Sequence, residues 1–280
     1  MGKTVKNQHY VPQIYLRHFT NNYNLIGVIE SKTGNRFSCN IKNVAAERYF
    51  YDIDELDEQP METILSRIEP LFATIFPKIK SRFMLSNPEN VFETHDVLDS
   101  DSFTYAAFWL TLQLYRTKKM RNAFYDSFTA LANWFITDFT EQVSPAELHV
   151  KLLHNHVLQD FELSKSMFTD YYWSVAVNQT EWPFVTSDTP VVRSQAFERS
   201  DKNVTWMAQQ LNEGNISHNY GTVVTYPFDP MFSLLLWEKK HFHYMQRFDN
   251  RFLPADQITV VMMNKSQMDN CERHAFHRIQ

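Results

Sequence analysis

The apolar residues of this chain change period near Tyr171, and that change limits the architectures open to it. Upstream, "FTYAAFWLTLQLYRT" (103–117) and "KKMRNAFYDSFTALANWFITDF" (118–139) repeat apolar residues at helical spacing, the second carrying Phe124, Phe128, Leu131, Phe135 and Phe139 along one side. Downstream, "YYWSVAVN", "WPFVTS", "GTVVTYPF", "FSLLLWE" and "QITVVMM" are short, β-branched or aromatic, and bounded by Pro, Asn, Asp or Gly. Helices followed by strands predict an α+β protein: a central helical layer over 60–167 and a largely antiparallel sheet over 171–263.

The remaining elements are read from their punctuation. Pro12 suits a first helical turn, and Tyr15, Leu16 and Phe19 follow at helical spacing, so a helix is expected from Pro12 to Phe19. "LIGVIES" and "RFSCNIK" flank "KTGN", a hairpin signal, which makes 12–50 a helix and hairpin. After the acidic turn "DIDELDEQP", Pro60 opens a helix that Pro70 should kink or divide around Glu69. Ser100 or Asp101 is expected to cap the next, and Ser144 with Pro145 to start another. Residues 193–220 read as a polar surface excursion with a helical piece, and 264–280 as a C-terminal helix. One compact domain over 1–280 is expected.

Composition removes several functions. Five glycines in 280 residues, with no GxGxxG and no GxxxxGK[ST] string, leave nothing to cradle a pyrophosphate. The formal net charge of −5 exerts no global pull on nucleic acid or anionic lipid. Cys39 and Cys271 have no CxxC spacing and read as ordinary thiols of a reducing compartment. No run reaches the roughly 18 apolar residues that a membrane span needs. The expectation is a cytoplasmic protein with no membrane partner.

Several polar residues stand where apolar ones are expected. His9 precedes a helix start, a position that favours a neutral imidazole, with Gln13 in reach. Glu62 and Glu69, seven apart, share one side of a helix. Trp109, Gln113 and Arg116 extend an apolar face, so Gln113 and Arg116 should project inward. "PFVTSDTPVV" puts Ser187 and Asp188 at a strand end stopped by Pro190. The histidine pairs His154/His156, His241/His243 and His274/His277 have no evident third ligand. The plainer readings are a satisfied core histidine, solvated glutamates and an Asx turn at Asp188.

"HYVPQIYLRHF", "NVAAERYFY", "METILSRIE", "LQLYR", "FVTSDTPVV", "YPFDP" and a late "MNKS" together resemble the domain-of-unknown-function family 4238 over nearly the whole chain. The family's Pro-Leu-Ser-Pro-like string here reads "YPFDP", keeping Pro227 and Pro230. The resemblance implies shared positions at His9, Pro12, Gln13, Glu69, Arg116, Asp188 and Pro190, and hence one pocket in which His9 and Gln13 face a cleft with Arg116 and Asp188.

The functional expectation is an intracellular hydrolase or nuclease acting on a phosphate-containing substrate, a nucleotide or nucleic acid, in a toxin or phage-defence role. His9, Glu69 and Asp188 are the catalytic candidates, with Asp188 and Glu69 able to take a divalent ion; Gln13, Arg116, Gln113 and Ser187 would bind substrate. The alternatives are a small-anion-binding or sensor module and a structural protein with a buried polar network.

Overall fold

The computed structural model describes residues 5–53, 59–135, 144–195 and 221–279. The acidic turn at 54–58, the end of the helical stripe at 136–143 and the excursion at 196–220 lie outside them. The architecture is α+β, as the change of period predicts.

The N-terminal part holds β1 (Asn7–His9), the short helix α1 (Gln13–Leu16) continuing as a 3₁₀ turn to Phe19, and the hairpin β2 (Leu25–Glu30) and β3 (Arg36–Asn40). Gly34 sits at φ +72° in the hairpin turn, where glycine carries no steric penalty. β4 (Ala46–Arg48) pairs antiparallel with β1.

The helical layer follows. α2 (Pro60–Phe72) starts on Pro60 and continues through Pro70. The division expected at Glu69 therefore comes later, at Ala73–Thr74, where α3 (Ile75–Leu85) begins. Pro70 lies in the last turn of α2, where its missing N–H removes only the bond back to the Ser66 carbonyl and the helix ends two residues on. α4 (Ser100–Tyr115) is capped by Asp99, whose carboxylate accepts from Ser102 N at 2.7 Å; neither expected cap serves. Its residues are buried on nearly every face, so it runs through the core rather than over it. α5 (Lys118–Phe135), α6 (Pro145–Leu152, capped by Ser144 as expected), a π-type turn and α7 (Phe161–Ser166) complete the layer.

A five-stranded sheet has the order β10-β5-β9-β8-β7, from β5 (Tyr171–Asn178), β7 (Val192–Gln195), β8 (Thr222–Pro227), β9 (Phe232–Glu238) and β10 (Arg251–Ala255). Every pairing is antiparallel except β10 with β5. A second sheet has the order β3-β2-β11-β6, joining the N-terminal hairpin to β6 (Thr186–Ser187) and β11 (His274–His277).

Two expectations fail at the C-terminal end. "QITVVMM" is not a strand but the start of α8 (Gln257–Asn270), and the expected helix over 264–280 ends at Asn270 and gives way to β11. The β-branched run is overruled by its cap. Asp256 accepts from Thr259 N at 2.9 Å, and Val260, Met263 and Gln267 then bury one face. One apolar cluster takes residues from Tyr10 to Phe276, and a smaller one packs Val260 and Met263 of α8 against Ala176, Phe184, Leu235 and Ala255. Among the described residues no helix is long and apolar enough to cross a membrane.

Candidate functional site

Arg116 closes the C-terminal end of α4 and is only 1 % exposed. Its guanidinium has three directed contacts: Nη1 donates to Glu69 Oε1 at 2.8 Å, Nη2 to the His9 carbonyl at 2.8 Å, and Nε to the Tyr51 hydroxyl at 3.2 Å. The side chain thus ties α4 to α2, to the end of β1 and to the segment after β4. His9, Glu69 and Arg116, singled out from distant stretches of sequence, do meet.

The imidazole of His9 is largely buried, which pulls its basicity down, with Arg116 adding to the effect. Its Nε2 lies 3.2 Å from the Ile41 carbonyl, an acceptor, so the ring proton belongs on Nε2. Nδ1 is then an acceptor, taking a long hydrogen bond from Gln13 Nε2 at 3.5 Å. A neutral histidine whose unprotonated nitrogen is held only by one long hydrogen bond is a competent base.

Glu62, two turns before Glu69 on α2, is half-buried. Burial pushes its carboxyl up, Arg116 opposes, and Glu69 and Asp52 push further, leaving it at about 7. Asp52 is itself held by two amides, Gln8 Nε2 at 2.6 Å and Gln59 Nε2 at 2.7 Å. Two carboxyl groups on one helix thus have different settings: Glu69 is locked in an ion pair with Arg116, and Glu62 can carry a proton near neutrality.

Gln113, one turn before Arg116, is fully buried, and among the described residues neither its side-chain oxygen nor its nitrogen has a partner. Trp109, one turn further back, donates from Nε1 to the Tyr226 hydroxyl at 2.8 Å, and Tyr226 stacks on Tyr15. The inward stripe of Trp109, Gln113 and Arg116 is as its spacing predicts.

Asp188 and Ser187 have another setting. Both oxygens of Asp188 are taken by backbone amides: Oδ1 by Glu272 N at 2.8 Å, Oδ2 by Arg273 N at 2.8 Å and His274 N at 3.0 Å. Burial still raises its pKa, against those three bonds. Ser187 Oγ bonds to Gln267 Oε1 at 2.8 Å, and Gln267 Nε2 donates to the Pro190 carbonyl at 3.0 Å. Neither residue has a hydrogen bond or ion pair to His9, Glu69 or Arg116. No direct bond joins Asp188 to the cluster around Arg116, and the TSD string clamps β6 to the turn between α8 and β11. Among the described residues no group of three or more His, Cys, Asp or Glu is placed to hold a metal ion.

Sequence reasoning passed over Tyr51, whose ring lies near the Arg116 guanidinium, 6.0 Å from centroid to Cζ, and stacks on His149. His149 is buried, stacks on Tyr51 and is held at about 3, well below the usual imidazole range, by burial and the nearby Arg121 charge. The signal was present in "NVAAERYFY", where three consecutive aromatics, Tyr49, Phe50 and Tyr51, precede the acidic turn.

A family model described as a protein of unknown function, DUF4238, matches residues 7–280. No curated protein and no solved structure matches the chain.

Proposed function

The chain belongs to the DUF4238 family, and from the side chains gathered around Arg116 we propose that it is a hydrolase working by general acid–base catalysis. The observation that supports this reading is the contrast on α2: Glu69 is paired with Arg116 at 2.8 Å, while Glu62 is held at about 7. Glu62 would protonate the leaving group. His9 Nδ1 would take a proton from the attacking water, oriented by Gln13. Glu69 would keep the electrostatic balance that sets both.

We propose an intracellular toxin or phage-defence setting and a phosphate-containing substrate, a nucleotide or nucleic acid. The phosphate-holding role expected of Arg116 passes from it, because each guanidinium nitrogen is already bound within the protein. Asp188 is withdrawn from the chemistry on the same ground.

The test is turnover of p-nitrophenyl esters, phosphomonoesters, phosphodiesters and a nucleotide panel by the purified protein, beside Glu62→Gln and His9→Ala. Growth of a bacterial host under induced expression of the same three proteins, at matched soluble levels, accompanies it. Turnover or growth arrest by the wild type alone supports the proposal; no turnover and no arrest by any of the three sinks it.

A second reading has one specific observation in its favour. Arg116 is 1 % exposed with Nε, Nη1 and Nη2 all engaged, which suits a network that fixes α2 and α4 to β1. Under it, Glu62→Gln and His9→Ala would change stability and no activity.

A further inference from the structure

Two guanidinium groups bracket the cluster of Phe50, Tyr51 and His149, and among the described residues only one has an ion-pair partner. Arg116 has Glu69. Arg121, near the start of α5, lies flat over the Phe50 ring, its Cζ 3.5 Å from the centroid. Its Nη2 donates to the Phe50 carbonyl, and Nε and Nη2 are each 3.3 Å from His149 Nδ1. His149 Nε2 lies 2.7 Å from the Tyr115 carbonyl and so holds the ring proton, which leaves Nδ1 as acceptor for Arg121. Every described partner of Arg121 is neutral.

No carboxylate forms an ion pair with it among the described residues. The nearest acid acting on it, Glu47, is bonded to Lys118. Burial accordingly pulls the Arg121 guanidinium down to about 10. Nη1, with two N–H groups, makes no described hydrogen bond and is not among the atoms sealed from solvent without a partner. The residue as a whole is half-buried.

A half-buried, uncompensated cation is unfavourable, and one fixed by a ring stack, a carbonyl and an imidazole has little rotamer freedom left to lose on binding. We propose that the Nη1 edge of Arg121 is a binding site for a small oxyanion, a phosphate or carboxylate group carried by a ligand. The planar fork suits either group, and His149 is a positioning residue that presents it. This site is independent of the acid–base reading, since it shares no residue with Glu62, Glu69 or His9.

The test is thermal denaturation of the full chain in chloride, inorganic phosphate and acetate at matched ionic strength, with Arg121→Gln beside the wild type. Phosphate strengthens folding in general by exclusion from the surface, so the variant is the control. The expected result is a saturable rise in Tm for the wild type that Arg121→Gln lacks, in phosphate or in acetate according to the group preferred. Should Arg121→Gln fail to fold, phenylglyoxal labelling of the wild type, read at Arg121 by peptide mass, replaces it. An anion at ten times its Kd should slow labelling about tenfold. Equal Tm in all three salts, an equal rise in the variant, or labelling at Arg121 indifferent to both anions would overturn the proposal.

Discussion

Arg116 and Glu69 form an unequal pair: the arginine side chain is 1 % exposed and the glutamate side chain 23 %. Which partner is removed therefore matters. Without Arg116, Glu69 can turn to water; without Glu69, a sealed cation has only a carbonyl and a phenol.

Glu69→Ala should accordingly be the more damaging substitution, by roughly 3 to 5 kcal/mol, the usual loss when a buried charge is orphaned. Arg116→Met, which fills much of the same volume, should lose less. Urea denaturation of the two variants checks the order, and the reverse order would mean that Glu69 is the desolvated partner.

Glu62 gives stability a pH dependence of recognisable sign. Its folded pKa, about 7, lies above its ordinary value near 4.5, so the folded state holds the extra proton between them. Its contribution is complete below about 4.5 and is lost as pH rises through 7. The difference in stability between wild type and Glu62→Gln should fall across that window. Carbon NMR of the Glu62 carboxyl should titrate near 7; a midpoint near 4.5 would remove the proposed acid.

His149 acts in the opposite direction. Its folded pKa of about 3 lies below the ordinary 6.5, so the unfolded chain takes up the proton first. Stability is then lost as pH falls from 6.5 towards 3, by about 1.4 kcal/mol for each pH unit in that window. Replacing His149 by Gln should flatten the acid limb of the stability curve, and an unchanged limb would place the acid-sensitive group elsewhere.

Asp188→Ala leaves three backbone amides without their buried acceptor and should cost about 2 kcal/mol. Hydrogen exchange should quicken at Glu272, Arg273 and His274 before it does in β5 or β9. Uniform exchange across both sheets would show that the clamp is not local.

Gln113→Met should be neutral or stabilising, because it removes two unpaired polar atoms at similar volume. A marked loss of stability would mean that Gln113 has a partner in solution.

The legible parts of this fold were those written in local chemistry. Pro12, Pro60 and the Ser144–Pro145 pair mark helix starts, "KTGN" marks the hairpin, and the spacing of Trp109, Gln113 and Arg116 marks an inward face. α8 was misread because Ile258, Thr259, Val260 and Val261 prefer strands, while one side chain, Asp256, sets the backbone direction. β11 was misread because its partners, β2 and β6, lie far off in the chain. The setting of Asp188 is hidden for the same reason: a carboxylate that caps three remote amides looks, in one dimension, like a carboxylate awaiting a substrate. The pairing of Glu69 with Arg116 was reachable only through the family resemblance, since the two stand on different helices.

The second sheet also bears on how the protein is made. Gly27 sits opposite His277, and Phe276 opposite both Val28 and Thr186. During synthesis the hairpin would therefore emerge with one edge unsatisfied and keep it open until residues near 277 had been translated. Such late closure predicts slow folding and a nascent chain that invites strand addition by a neighbour. The interval before β11 arrives is when this protein would most need a holding chaperone.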